Sequence, residues 1–192
     1  LPVQSGNNRI LAAMRRGYTA EEYIERAAKL RETCPELHIS TDIIVGFPGE
    51  TLEEFEDTLR LMEAVKFDSV YAFKYSVRQN TTAANMEDDV DDLEKRRRVN
   101  QVLDLAETHR NAALALYADT VVEVLVEGPS KRSAKAPTAE PQMTGRTRTN
   151  VVVNFPVKEL GFGAWRWVGK LANVRVSTVH AHSLYGEIEL VN

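Results

Sequence analysis

Two hydrophobic periods alternate along the first 117 residues. Ile39 to Phe47 (ISTDIIVGF) and Ser69 to Tyr75 (SVYAFKY) are short runs of β-branched and aromatic residues bounded by turn formers, the pattern of buried parallel strands. Leu1-Pro2-Val3 reads as the start of another strand. Between these runs apolar residues recur every three or four positions: Ile10, Leu11 and Met14, then Tyr23, Ala27 and Leu30, then Phe55, Leu59 and Met62. That spacing predicts amphipathic helices. Two of them carry a start signal, Thr19-Ala-Glu-Glu22 and Thr51-Leu-Glu-Glu54. In each, the Thr hydroxyl accepts from the backbone three residues on and the Glu reaches back, a capping box. Asn7 or Asn8 caps the first helix, and Pro35 and Pro48 close a helix and a strand. The alternation predicts parallel pairing with right-handed crossovers. A long charged helix, Asp91 to Tyr117, follows, its apolar face drawn by Val99, Val102, Leu103, Ala106, Ala113 and Leu116.

Beyond Tyr117 the period becomes two. Thr120 to Glu127 (TVVEVLVE) alternates, and Val151 to Phe155, Trp167 to Val179 and Ser183 to Leu190 read as further strands. Gly128 to Thr149 reads as a polar loop, with Ser133 to Pro141 its most mobile part. Short strands separated by Gly and Pro predict a small antiparallel barrel. The expected division is 1–117 and 118–192.

Charge follows the same division. Up to Tyr117 there are 15 Lys and Arg against 21 Asp and Glu; beyond it, 9 against 7. The two parts therefore predict different partners. No apolar run approaches the roughly 18 residues that cross a bilayer, so no membrane partner is expected. LPVQSGNNRI lacks the basic and apolar regions of a signal peptide, and it starts in the middle of an element, so a fragment is expected. The single cysteine, Cys34, excludes an internal disulfide and a multi-cysteine metal site built from this chain alone, which suits a cytoplasmic protein.

Candidate chemistry gathers at the strand ends, where parallel α/β sheets bind ligands. Asp42 to Thr51, DIIVGFPGET, stops a buried strand at Gly46 and Gly49. Glycines there admit positive φ or the close approach of a ligand, although a plain strand-to-helix turn uses them too. LPVQSG brings Gln4 and Ser5 to a second strand mouth, and Tyr75-Ser76-Val77-Arg78 forms a third. The run Lys95-Arg96-Arg97-Arg98 is either a nucleic-acid contact or, more commonly for such runs, a solvated face. Within Gly128 to Thr149, Lys131, Arg132, Lys135, Arg146 and Arg148 stand against the single acid Glu140. Phe155, Trp165 and Trp167 are either barrel core or stacking platforms for unpaired bases. His180 and His182 lack a third ligand and read as surface residues.

LPVQSGNNRILAAMRRGYT, STDIIVGFPGETLEEFEDTL and FKYSVRQNTTAA together resemble the second half of the radical S-adenosylmethionine core of the methylthiotransferases. VEGPSKRS and MTGRTRTNVVVNF resemble the TRAM domain that follows that core. The resemblance covers essentially the whole chain. It implies a partial (β/α) radical SAM barrel followed by a small OB-like β-barrel. It implies S-adenosylmethionine and two [4Fe–4S] clusters as cofactors of the full-length protein, and tRNA, at its anticodon stem-loop, as partner. The nearest branch adds a methylthio group to C2 of N6-isopentenyladenosine beside the anticodon. Sister enzymes act on threonylcarbamoyladenosine or on a ribosomal protein, and a stand-alone RNA-binding module is the other alternative. The cluster cysteines are absent here, so this chain alone is expected to be inactive.

The resemblance assigns Gln4, Ser5, Arg16, Asp42, Ile44 and Gly46 to the cofactor pocket. Arg16 stands where the family pairs a guanidinium with the methionine carboxylate. Arg78, Lys131, Arg132, Arg146, Arg148 and Asn154 are assigned to RNA. The third strand end departs from the family's YS-x-R-x-G-T-P-A: Asn80 replaces the glycine and Thr82 the proline. Half a parallel barrel also leaves an open edge at its first strand, which predicts self-association.

Overall fold

The computed structural model describes residues 1–135, 141–157 and 166–189. The chain forms two compact units, Leu1–Arg110 and Asn111–Asn192.

In the first unit the order is α1 (Asn8–Ala13), α2 (Ala20–Thr33), β1 (Ser40–Val45), α3 (Leu52–Val65), β2 (Ser69–Lys74), a short 3-10 turn (Thr82–Asn85) and α4 (Asp92–Ala115), whose end enters the second unit. Both predicted capping boxes form. Thr19 Oγ1 accepts from Glu22 N at 3.2 Å, Thr51 Oγ1 from Glu54 N at 3.2 Å, and each Glu returns the bond. β1 and β2 pair in parallel from Ser40↔Ser69 to Val45↔Lys74. Ile43 and Val45 are fully buried against the helices with Phe55, Met62 and Phe67. Burying each such side chain is worth about 1.5–3 kcal/mol. On the other face of the sheet Asp42 and Ile44 lie across from Tyr71 and Phe73, and both aromatics are exposed.

The strand expected from Leu1 shrinks to a single bridge, Gln4↔Ile43. Gln4 N donates to Asp42 O and Ile44 N to Gln4 O, both at 2.9 Å. The ladder stops there because Gln4 has φ 73°, left-handed backbone that cannot continue an extended strand. Gly6 then runs against α3. A Cβ on it would lie 2.6 Å from Thr58 Cα, so only glycine allows the approach.

The apolar face of α4 is only partly the expected one: Val99 and Ala106 pack with Val102 against the core of the first unit. Val102 and Leu114 are buried, whereas Leu103 and Leu116 are exposed. The inward face also carries Lys95 and Arg98, 5% and 4% exposed.

The second unit is a closed barrel in the order β3-β4-β5-β7-β6. Its strands are β3 (Val121–Pro129), β4 (Gln142–Arg146), β5 (Val152–Pro156), β6 (Leu171–His180) and β7 (Ser183–Ile188). Four seams are antiparallel and one, β5 with β7, is parallel. The α/β part followed by a small β-barrel is the architecture expected from the sequence. The supposed loop Gly128 to Thr149 is not all loop. It holds a short helix, α5 (Lys131–Lys135), and β4. β4 reads QMTGR, without β-branched alternation, because Gly145 must admit the backbone of β3: a Cβ there would lie 2.3 Å from Leu125 O. Ser133, expected to move, is buried and fixed: its Oγ accepts from Gln142 N at 2.8 Å. Trp167 precedes β6 in a turn rather than starting it. Trp165, Leu190, Glu140 and the middle of Ser133 to Pro141 lie outside the described residues.

Candidate cofactor cleft and nucleic-acid surface

α1 ends early. Arg15 takes φ 56°, and Arg16 N still reaches back to Leu11 O at 2.9 Å. That turn delivers two exposed guanidiniums to a cleft of about 860 Å³. Neither guanidinium makes an ion pair among the described residues. The cleft is also lined by Gln4, Asp42, Ile44, Phe47, Phe73 and Arg78, at the carboxyl ends of the strands. Five sequence-read residues, Gln4, Arg16, Asp42, Ile44 and Arg78, thus surround one space. Asn80, which replaces the family glycine, takes φ 66° and lines it too.

Ser5 and Gly46 are not in that lining. Ser5 is fully buried, its Oγ accepting from Asn7 N at 3.2 Å and 3.5 Å from Thr58 Oγ1. Gly46 has φ 68°, and a Cβ on it would lie 2.4 Å from Lys95 Cγ. Its glycine is required by the turn and by a lysine packed onto it.

The cleft's donor set matches an amino-acid-bearing nucleoside. A guanidinium holds a carboxylate with parallel bonds, Asp42 faces a cation, the Gln4 amide serves hydroxyls, and Ile44 and Phe47 offer apolar surface to a base. The same residues do not fit an iron–sulfur cluster. Such clusters take several thiolates, and the chain has only Cys34, exposed just beyond α2. Among the described residues no three His, Cys, Asp or Glu gather as metal ligands.

Beneath the cleft lies a buried network not foreseen from sequence. Glu50 Oε2 accepts from Gly46 N at 2.6 Å and from Arg98 at 2.8 Å, while Arg98 also reaches Glu50 O at 3.0 Å. Burial pushes the Glu50 carboxyl above its ordinary value, and the Gly46 amide and Arg98 only partly offset this. Its Oε1 has no hydrogen-bond partner among the described residues. Lys95 pairs with Asp88 at 2.5 Å and lies 5.5 Å from the Tyr75 ring. Arg96 and Arg97 point outward and pair with Asp92 and Glu94. The Lys95–Arg98 run is therefore split: Arg96 and Arg97 lie on a solvated face, and Lys95 and Arg98 turn inward. The overlooked signal was Glu50, an acid placed between a strand-ending glycine turn and a helix cap.

The Arg9–Glu54 ion pair ties α1 to the start of α3. Hydrogen bonding from Arg9 holds the Glu54 carboxyl down at about 2, and Arg97, then Arg98, hold Glu94 at about 2. A depressed carboxyl stabilises the fold above its unfolded value and loses that stabilisation as pH falls through the folded one. The loss thus spans pH about 4.5 to about 2. Glu50 acts in the opposite sense and above that window: a raised carboxyl gains stability for the fold as pH falls from its folded value towards its unfolded one. Urea melts are expected to show stability falling between pH 5 and pH 3 but not between pH 7 and pH 5. Glu54→Gln should flatten that fall by on the order of 1–3 kcal/mol.

On the barrel, Arg146 pairs with Glu127 at 3.2 Å and bonds Asn150 Oδ1 at 2.9 Å. Arg148 pairs with Glu123 at 3.0 Å. Lys131 and Arg132 are exposed on α5, not on a loop. Asn154 sits on β5 between Thr144 and Tyr185, half-buried. Phe155 is fully buried in the core, and Trp167 packs partly against it. His180 and His182 are exposed.

Two family models match the chain: the Radical SAM superfamily over residues 1–62 and the TRAM domain over residues 116–188. Among curated relatives, the chain is 45% identical over 188 residues to a tRNA-2-methylthio-N(6)-dimethylallyladenosine synthase of Thermoanaerobacter sp. (strain X514). It is 46% identical to one of Acetivibrio thermocellus and 42% identical to one of Haemophilus influenzae (strain PittEE). Each alignment covers 98% of this chain and 37% of the relative. The chain thus spans little more than a third of the length of these relatives. With both domains matched in order and the relatives aligned across both, the chain belongs to the radical S-adenosylmethionine methylthiotransferase family, as part of its core joined to a TRAM domain.

Proposed function

We propose that this chain is part of a cytoplasmic tRNA methylthiotransferase. The full-length protein would add a methylthio group to C2 of N6-isopentenyladenosine beside the anticodon. This chain would supply one wall of the S-adenosylmethionine pocket and the RNA-binding barrel. The observation that carries the reading is the cleft that gathers Gln4, Arg16, Asp42, Ile44 and Arg78 at the strand ends. Arg16 would hold the methionine carboxylate, Asp42 the ammonium, Gln4 the ribose, and Ile44 the adenine. When bound with a [4Fe–4S] cluster, S-adenosylmethionine supplies a carbon radical; neither cluster is held by residues of this chain. The exposed sheet face around Tyr71 and Phe73 would be covered by further chain, or by a second copy when the chain stands alone.

The test is mass spectrometry of tRNA nucleosides after anaerobic incubation of the reconstituted full-length protein. The expected product is 2-methylthio-N6-isopentenyladenosine. Arg16→Ala should raise the KM for S-adenosylmethionine about 10- to 100-fold, the worth of a charge-assisted bidentate contact. Unmodified tRNA would refute the assignment of substrate, and an unchanged KM the role of Arg16.

A further inference from the structure

Ion pairing sorts the barrel's cations into two sets. β3 runs antiparallel to β4 and β6, and β4 antiparallel to β5. The ends of β3 and β5 and the start of β4 therefore lie at one end of the barrel, while β6 starts alongside Leu125 in the middle of β3. Ser130 N→Gln142 O at 2.9 Å and Val157 N→Pro141 O at 2.8 Å tie that end together. Lys131 and Arg132 follow β3 directly, and Arg166 and Lys170 sit in the turn that enters β6. This turn is fixed to β3 by Gly169 N→Val126 O at 2.9 Å and Val126 N→Lys170 O at 3.0 Å, and Trp167 anchors it on the core. All four cations are exposed, and none makes an ion pair among the described residues.

Arg146 and Arg148 differ. Arg146 ends β4 opposite Leu125, level with the start of β6, and Arg148 lies in the β4–β5 connection. Each is matched by an acid of β3, Glu127 or Glu123. Exposed pairs of this kind are weak, so a phosphate can open them. The freed carboxylate nevertheless stays beside the phosphate and repels it. An unpaired cation has no such penalty and releases condensed counterions from the RNA outright.

We propose that RNA meets the barrel at its unpaired cations, with Lys131, Arg132, Arg166 and Lys170 contacting phosphates and Arg146 and Arg148 serving the barrel's own ion pairs. This rests on the RNA-binding reading above. It adds Arg166 and Lys170 to the contact set and removes two arginines that the sequence alone had grouped with Lys131 and Arg132.

The test is fluorescence anisotropy of a labelled anticodon stem-loop titrated with the whole 192-residue chain at about 50 and 200 mM salt. Substituting all four cations (K131Q, R132Q, R166Q and K170Q together) should weaken binding about tenfold or more. The slope of log affinity against log salt should fall by about 0.7 for each phosphate no longer neutralised. The pairs K131Q with R132Q and R166Q with K170Q should each show part of the loss, with unchanged melts. R146Q with R148Q should stay within about threefold of the unaltered chain. Equal losses in the two sets, or the larger loss in R146Q with R148Q, would overturn the assignment while leaving RNA binding in place. An unaltered chain that binds no RNA at either salt would overturn the RNA-binding reading, and the assignment with it.

Discussion

Arg98→Ala is expected to destabilise the first unit by about 3–5 kcal/mol, the usual cost of removing one partner from a buried ion pair. The Arg98 side chain is 5% exposed and the Glu50 side chain 0%. The guanidinium has three acceptors, Glu50 Oε2, Glu50 O and Glu94 Oε1, and its Cζ lies 5.3 Å from the Phe55 ring. Truncation would leave Glu50 charged in a dry site with only the Gly46 amide to hold it. Two consequences separate this from simple loss of packing. First, the Glu50 carboxyl, already raised by burial, should rise further, because the cation paired with it is gone. A raised carboxyl costs stability above its folded value and regains it as pH falls towards the unfolded one. The deficit of Arg98→Ala should therefore be smaller at pH 5 than at pH 7. Second, Arg98→Met with Glu50→Gln should recover much of the loss, since neither residue then carries a buried charge and the amide still accepts from Gly46 N. Urea unfolding of the two variants at both pH values checks this. Equal stability of the single and double variants at pH 7 would show that the pair contributes packing rather than charge compensation.

That network also shows where sequence reasoning reached its limit. α2 and α3 were legible because their signals are local: a Thr, a Glu three residues later, and apolar residues at helical spacing. β1 and β2 were legible as short β-branched runs. The inward turn of Lys95 and Arg98 was not. A run of four cations looks the same whichever face it occupies, and the acid that makes burial tolerable lies 48 residues away in sequence. β4 was missed for a related reason. Its glycine, needed for close approach to β3, erases the alternation that marks a strand. The strand expected at Leu1 failed through one backbone angle at Gln4, which composition does not encode. For the cleft, the family resemblance named six residues, of which Gln4, Arg16, Asp42 and Ile44 line one space, together with Arg78, which had been assigned to RNA. Ser5 and Gly46 lie outside that lining, Ser5 within a backbone turn and Gly46 packed against Lys95.

Phe155→Ala is the largest effect expected in the second unit, about 3–5 kcal/mol. Phe155 is fully buried and sits opposite Met143, itself fully buried, across the β4–β5 seam. Val124, Val126, Val153, Val174, Val176 and Leu184 complete the core around them. A barrel closed on all sides cannot collapse onto the space a benzyl group leaves, so the cavity term adds to the lost transfer energy. For a unit of this size each kcal/mol moves Tm by about 4–8 °C, so a fall of about 12 °C or more is expected. This separates the two roles the sequence allowed for the ring. A stacking platform would lose RNA affinity and keep its melt. A core residue loses its melt, and where the variant is still folded it keeps its RNA affinity, because the ring never reaches the surface. Circular dichroism melts beside anisotropy titrations at a temperature where both proteins are folded make the distinction. A variant with an unchanged Tm and weakened RNA binding would mean that Phe155 leaves the core to meet a base.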